Sequence, residues 1–170
     1  MDGRIHVIHV FYKMDREGAQ TFIINVYRNF DQSKFQFDFI VQTLEKGQYD
    51  EEIREFGSKI HYIPKLTLFN VVEYIKLWNN FFKKNNEYRI IHSHAQGSAS
   101  IYMSIAKKHG LKTISHSHTY SSENSIVSVL KNIFQIPIRR IADVKLACSE
   151  KAGQWLYGKK TDFEIINNAI

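Results

Sequence analysis

Two stretches of this chain end alike. Ile90-Ile91-His92-Ser93-His94 and Ile114-Ser115-His116-Ser117-His118 each pass from β-branched residues into alternating imidazole and hydroxyl groups. A short apolar run stopped by polar side chains is how a buried parallel strand delivers groups to the rim of a sheet. In open α/β sheets the ligand crevice lies outside the carboxyl ends of the strands, so these histidines fall where binding or chemistry belongs. Side chains alternate along a strand, and each His-x-His therefore puts both imidazoles on one face.

The rest of the chain repeats the same unit. Strand-like runs are expected at residues 5–10, 35–41, 59–63, 88–93, 112–115, 144–147 and 163–166. Helical spacing separates them: from Gly18 to Phe30, at 49–56 before Gly57, at 70–85, at 98–109 before Gly110, at 126–141 with an interruption near Pro137, and at 150–157. Ser149 is a good N-cap for the last of these, with Glu150 favourably placed in its first turn. Strands that alternate with helices throughout predict a mostly parallel sheet covered on both faces, a Rossmann-like three-layer α/β sandwich with right-handed crossovers. No internal repeat or linker composition divides the 170 residues, which suit one domain.

Charge and cysteine content narrow the partners. Lys and Arg number 23 against 17 Asp and Glu, a net charge of +6, so the surface favours anions such as nucleotide diphosphates and lipid phosphates. The basic residues fall in scattered pairs such as Lys83-Lys84 and Arg139-Arg140, with no continuous basic arm, and nucleic-acid binding would rest on net charge alone. The single cysteine, Cys148, excludes an internal disulfide framework and reads as packing rather than as a nucleophile. The start lacks the apolar core of a signal peptide, and no window has the roughly 18 apolar residues of a spanning helix. The expectation is a cytoplasmic protein, with peripheral attachment at the inner face of the membrane left open. Two regions carry aromatic and basic groups suited to that: 66–84, with Phe69, Trp78, Phe81 and Phe82, and 127–141, with Leu130, Phe134, Ile136, Lys131, Arg139 and Arg140. The first is expected to spend its apolar face on the core, which makes the second the better candidate.

Gly18 opens a helix, where free N–H groups and the positive dipole end suit a phosphate. The dinucleotide fingerprint G-x-G-x-x-G is missing and Asp15-Arg16-Glu17 bring mixed charge, which argues against a nicotinamide dehydrogenase. Gln96-Gly97-Ser98 provides a second small, polar helix start suited to the crevice. His92, His94, His116 and His118 have the spacing of metal ligands, but neither motif holds a carboxylate, Glu123 in the following loop apart, and neither a metal nor a cofactor is expected. Neutral imidazole both donates and accepts, so a general base or a hydrogen-bonding ligand to sugar hydroxyls or phosphate is the favoured role.

Taken in order, Arg4-Ile5-His6-Val7-Ile8, Gly18-Ala19-Gln20-Thr21-Phe22, Phe37-Asp38-Phe39-Ile40-Val41, Tyr49-Asp50-Glu51-Glu52-Ile53, the two histidine motifs, Ala147-Cys148-Ser149-Glu150-Lys151-Ala152-Gly153 and Ile166-Asn167-Asn168-Ala169-Ile170 form a pattern. It resembles the N-terminal domain of a retaining GT-B glycosyltransferase of family 4, of the capsular and exopolysaccharide type. The resemblance implies one half of a GT-B architecture, the acceptor-side domain, with the nucleotide-sugar held mainly by a C-terminal domain outside this chain. It implies transfer of a hexose from a nucleotide-sugar to a growing, lipid-linked surface polysaccharide, by the full-length protein rather than by this part alone. It places Gly18 near the donor diphosphate, His94 on the polar rim, and a catalytic histidine near the reacting sugar at His116 or His118. The family's Gly-Gly is here Glu17-Gly18, and its Asn-Gly at the interdomain linker is Asn168-Ala169. The rival reading from the residues is a stand-alone module that binds a nucleotide or phosphorylated ligand without catalysis.

Overall fold

The computed structural model describes residues 3–118 and 135–168. Seven strands form one sheet in the order β3-β2-β1-β4-β5-β6-β7: β1 Ile5–Phe11, β2 Phe35–Val41, β3 Ile60–Tyr62, β4 Tyr88–Ser93, β5 Lys112–Ser117, β6 Val144–Ala147 and β7 Glu164–Ile165. Every neighbouring pair is parallel. Among the described residues six helices connect them: α1 Gly18–Asn29, α2 Asp50–Glu55, α3 Val71–Lys84, α4 Ala99–Lys108, α5 Ile138–Ile141 and α6 Glu150–Tyr157. The chain winds outward from β1 through β2 to β3, then crosses to β4 and winds the other way. The order thus reverses between β1 and β4, the place where such sheets open a crevice.

The two faces are filled differently. Tyr74, Trp78 and Phe82 of α3 and Tyr102, Met103 and Ala106 of α4 bury themselves on Ile8, Val10 and Ile91 of the sheet, and the Trp78 and Tyr102 rings stack 4.6 Å apart. Burying a side chain of that size is worth about 2 kcal/mol or more. Ile23, Ile24 and Tyr27 of α1 cover Phe39 and Val41 on the opposite face. The helical spacing in 70–85 holds in part: α3 buries Tyr74, Trp78 and Phe82, whereas Val71, Val72 and Ile75 stay exposed.

Two boundaries in particular differ from expectation. β5 continues to Ser117, since His116 and Ser117 pair with Leu146 and Ala147 of β6, and the histidine motif is thereby drawn into the sheet. The last strand is only two residues long. The interruption expected near Pro137 is present: helix at Gln135 gives way to a turn at 136–137 and resumes at Ile138, with Pro137 the residue before α5, where a missing N–H costs nothing. Most of the helix expected over 126–141, with the polar loop before it, lies outside the described residues. Ser149 does cap α6, its Oγ accepting from the Ala152 N–H at 3.3 Å.

Candidate functional site

Alternation along the strands sends His9 of β1, His92 of β4 and His116 of β5 to the α1 side of the sheet, with His94 and His118 two residues beyond. His9 pairs in register with His92. The His92 and His116 rings lie parallel at 5.6 Å, and those of His94 and His118 stack at 5.0 Å with their planes inclined by 27°. Phe11 stacks on His94 at 4.2 Å, and Phe22 of α1 meets His116 edge-on at 5.7 Å. A layer that begins as Phe37 and Phe39 on β2 thus continues across the sheet as imidazole. His9, His92, His94 and His116 are buried, and His118 alone of the five is only partly buried.

A line of hydrogen bonds runs through this layer. His9 Nδ1 lies 3.2 Å from His94 Nε2, His94 Nδ1 lies 2.8 Å from His118 Nε2, and His118 Nδ1 lies 3.1 Å from Asn168 Oδ1. An amide oxygen only accepts, so His118 carries its proton on Nδ1 and accepts at Nε2 from His94 Nδ1–H; His94 Nε2 accepts in turn from His9. One terminal contact therefore orients three rings. His116 has no protein hydrogen-bond partner at either ring nitrogen among the described residues, and His92 Nε2 and His9 Nε2 have none either.

Burial, reinforced by the neighbouring rings, holds His9 at about 3, His116 at about 2, and His92 and His94 well below the ordinary histidine value. Burial also lowers His118, to about 4, against the Asn168 contact that favours its charged form. All five are neutral near pH 7. Rings this weakly basic are poor proton acceptors and serve better as hydrogen-bonding ligands, which favours the second of the two roles expected from the motifs.

The other expected site residues divide. Gly18 reaches the histidine rim through Asn168: a Cβ built on Gly18 would stand 3.4 Å from Asn168 Nδ2, an ordinary contact, so packing alone does not demand glycine there. Gln96 donates to Ser117 Oγ at 3.3 Å, and Gly97 is exposed with open space around it. Ser98 is buried, its hydroxyl paired with Tyr74 at 2.8 Å, which ties it to packing beneath the rim. Cys148 Sγ donates to the His118 carbonyl oxygen at 3.1 Å, a contact that fixes backbone. Beside the start of α1, Arg16, Lys46, Gly47, Gln48 and Glu51 line an open groove.

Residues 16–170 match glycosyltransferase family 4. The chain belongs to that family. EpsF of Bacillus subtilis (strain 168), which bears a glycosyltransferase name, is 31% identical over 159 residues, covering 90% of this chain and 41% of EpsF. The capsular polysaccharide biosynthesis glycosyltransferase CapH of Staphylococcus aureus is 29% identical over 90 residues, 53% of this chain and 24% of CapH. This family 4 chain therefore spans less than half the length of these relatives. Among solved structures, Anabaena HepE in complex with UDP and glucose superposes with a TM-score of 0.71 at 12% identity, over 98% of this chain and 45% of HepE. Acinetobacter baumannii MurG gives 0.62 at 12% identity, over 98% of this chain and 46% of MurG. At such identities the likeness is one of fold, the Rossmann-like half of a GT-B architecture.

His9 and Asn168 are the site residues that motif reading does not single out. His9 interrupts the apolar run Val7-Ile8-His9-Val10-Phe11, as His92 interrupts its own strand, and that shared anomaly is the signal. Asn168 carries no such signal, since its role depends on a contact 50 residues away in sequence.

Proposed function

We propose that this family 4 chain is the acceptor-side, N-terminal half of a hexosyltransferase that moves a sugar from a nucleotide-sugar to a lipid-linked, growing surface polysaccharide. The observation that carries the reading is the meeting of Gly18, His118 and Asn168 at the carboxyl edge of the sheet. There a bare helix start, which suits a phosphate, stands beside a neutral imidazole, which suits a sugar hydroxyl. The relatives named for glycosyl transfer and the HepE complex with UDP and glucose support the same donor class. In this reading His118, with its exposed edge, is the histidine nearest the reacting sugar, His116 backs it from below, and His94 holds its Nε2. Gly18 faces the donor diphosphate, and Gln96 and Gly97 border the acceptor side. Ser98 contributes through Tyr74 only.

The acceptor would be met at a bilayer. No helix among the described residues is long and apolar enough to cross one. Leu68 and Phe69, 90% and 99% exposed ahead of α3, offer apolar side chains between the exposed Lys65 and Lys76. The test of the function is transfer from UDP-hexoses to lipid-linked acceptors by a protein that joins this chain to a second Rossmann-like domain, beside the 170-residue chain alone. Transfer by the two-domain protein and little by the single domain is expected, because a cleft assembles its reactants only with both walls present. Equal rates for the two would sink the proposal.

A further inference from the structure

The imidazole layer holds more than hydrogen bonding to sugar requires. His116 is wholly buried with no protein partner at either nitrogen among the described residues, which leaves both its donor and its acceptor unpaired in a place where polar groups are ordinarily satisfied. Ring nitrogens of His94, His116 and His118 all lie within 4.8 Å of one another. Neither histidine motif carries a carboxylate, and on that ground no metal is expected from the sequence; the fold changes the count by bringing three imidazoles together from two strands.

We propose that His94, His116 and His118 form a binding site for one divalent transition-metal ion of the zinc class. The facing pair, His94 Nδ1 and His118 Nε2, stands 2.8 Å apart. Two nitrogens on a tetrahedral ion of this size stand about 3.3 Å apart, so the pair opens by roughly half an ångström to admit it. The outer nitrogens are already held: His118 Nδ1–H by Asn168 Oδ1, and His94 Nε2 by His9 Nδ1. Such outer contacts orient a metal-ligating imidazole. On binding, the proton between the facing nitrogens leaves His94 Nδ1, His94 takes the Nε2–H form and donates to His9, and His9 carries its proton on Nε2. Three neutral rings keep three protons. An all-imidazole set selects zinc, cobalt, nickel or copper over magnesium, calcium or manganese. A second trio, His9, His92 and His94, is buried throughout, whereas the partly buried His118 gives the proposed site an entry path and an open fourth position. With no carboxylate in either trio and the positive end of α1 close by, that position would draw an anion, hydroxide or a phosphate oxygen.

The experiment is direct metal binding to the untagged 170-residue chain after chelator treatment. Equilibrium dialysis against Zn²⁺ should give one equivalent that Mg²⁺ does not displace, and Co²⁺ should give the intense visible bands of a four-coordinate site. His116→Gln and His118→Gln should each weaken binding at least about 10-fold, Asn168→Ala about 10-fold through lost orientation, and His92→Gln should leave it within about 2-fold. Absence of stoichiometric Zn²⁺ and Co²⁺ binding by the native chain overturns the proposal without any need for a variant. Binding lost in His92→Gln and kept in His118→Gln overturns it in favour of the inner trio. Sugar transfer is not the readout, so failure here and failure of the transferase reading are separate results.

Discussion

Asn168 Oδ1 accepts from His118 Nδ1 at 3.1 Å, and its Nδ2 stands 3.4 Å from where a Cβ on Gly18 would be. One amide therefore links the expected interdomain linker, the histidine rim and the start of α1. Replacing Asn168 by Ala leaves His118 free to choose its tautomer, so transfer by a two-domain protein should fall about 10-fold with the fold intact. Asn168→Asp keeps the acceptor oxygen but adds charge beside His118, which stabilises imidazolium and should move the acid limb of the pH–rate profile upward. Both rates unchanged would reduce Asn168 to a packing contact.

His118 and His116 are separable by exposure. His118→Ala should cost one to three orders of magnitude in turnover, roughly the range for a lost positioning or proton-handling group. His116→Ala removes a buried ring packed against Phe22 and should cost stability as well as rate. Unchanged turnover in both single variants and in the double variant would return these residues to a structural role.

The buried imidazoles also fix how stability depends on pH. His9, His116 and His118 are held at about 3, 2 and 4 in the fold, chiefly by burial, and rise to about 6.5 when the chain unfolds. The unfolded state thus binds more protons below pH 6.5, so stability is fully present above that pH and is lost progressively as the pH falls toward 4. In chelator-treated protein the urea midpoint should drop over this window, and the drop should be smaller in His9→Gln. A midpoint that stays level from pH 7 to 4.5 would contradict the neutral, buried assignment.

Much of this was legible in residue pattern. β-branched runs alternating with helical spacing specify a parallel sheet, and two runs ending in His-Ser-His mark its carboxyl edge. The pattern does not say how the rims meet. His9 and His94 are 85 residues apart, and only the pairing of β1 beside β4 brings them to 3.2 Å. Ser98 reads as a crevice residue because a small polar helix start looks the same whether its hydroxyl faces ligand or Tyr74. The apolar face of 70–85 is readable as core, whereas Leu68 and Phe69, just outside the helix, have no periodicity to declare which way they point.

Gly153 tests how tightly the far end of the sheet is packed. A Cβ there would fall 2.2 Å from the ring of Phe163, well inside contact distance. Gly153→Ala should destabilise the chain by about 1–3 kcal/mol, the usual cost of overpacking, despite alanine's better helix propensity. Phe163→Leu in the same chain should restore part of the loss, measured by urea unfolding. A stabilised single variant would show that the ring is free to swing away.

Exposure moves the proposed membrane contact from 127–141 to the loop ahead of α3. The preferred region, 127–141, lies largely outside the described residues; at its described end Ile136 is 52% exposed near the exposed Arg140, whereas Ile138 is wholly buried and Arg139 donates to the Leu156 carbonyl at 3.2 Å. In the other region Trp78 and Phe82 are core, as expected, but Leu68, Phe69 and Val72 are exposed at 90%, 99% and 68%. Exposed apolar groups beside basic ones suit an interfacial contact, where each lysine near an anionic leaflet adds about 1 kcal/mol and salt screens it. Co-sedimentation with liposomes should therefore require anionic lipid, weaken at high salt, and fall at least about 10-fold in Leu68→Ser/Phe69→Ser. Binding that ignores lipid charge, or that survives both substitutions, would remove this loop as the point of attachment. Loss in Lys65→Gln/Lys76→Gln with the apolar pair intact would instead assign the contact to charge alone.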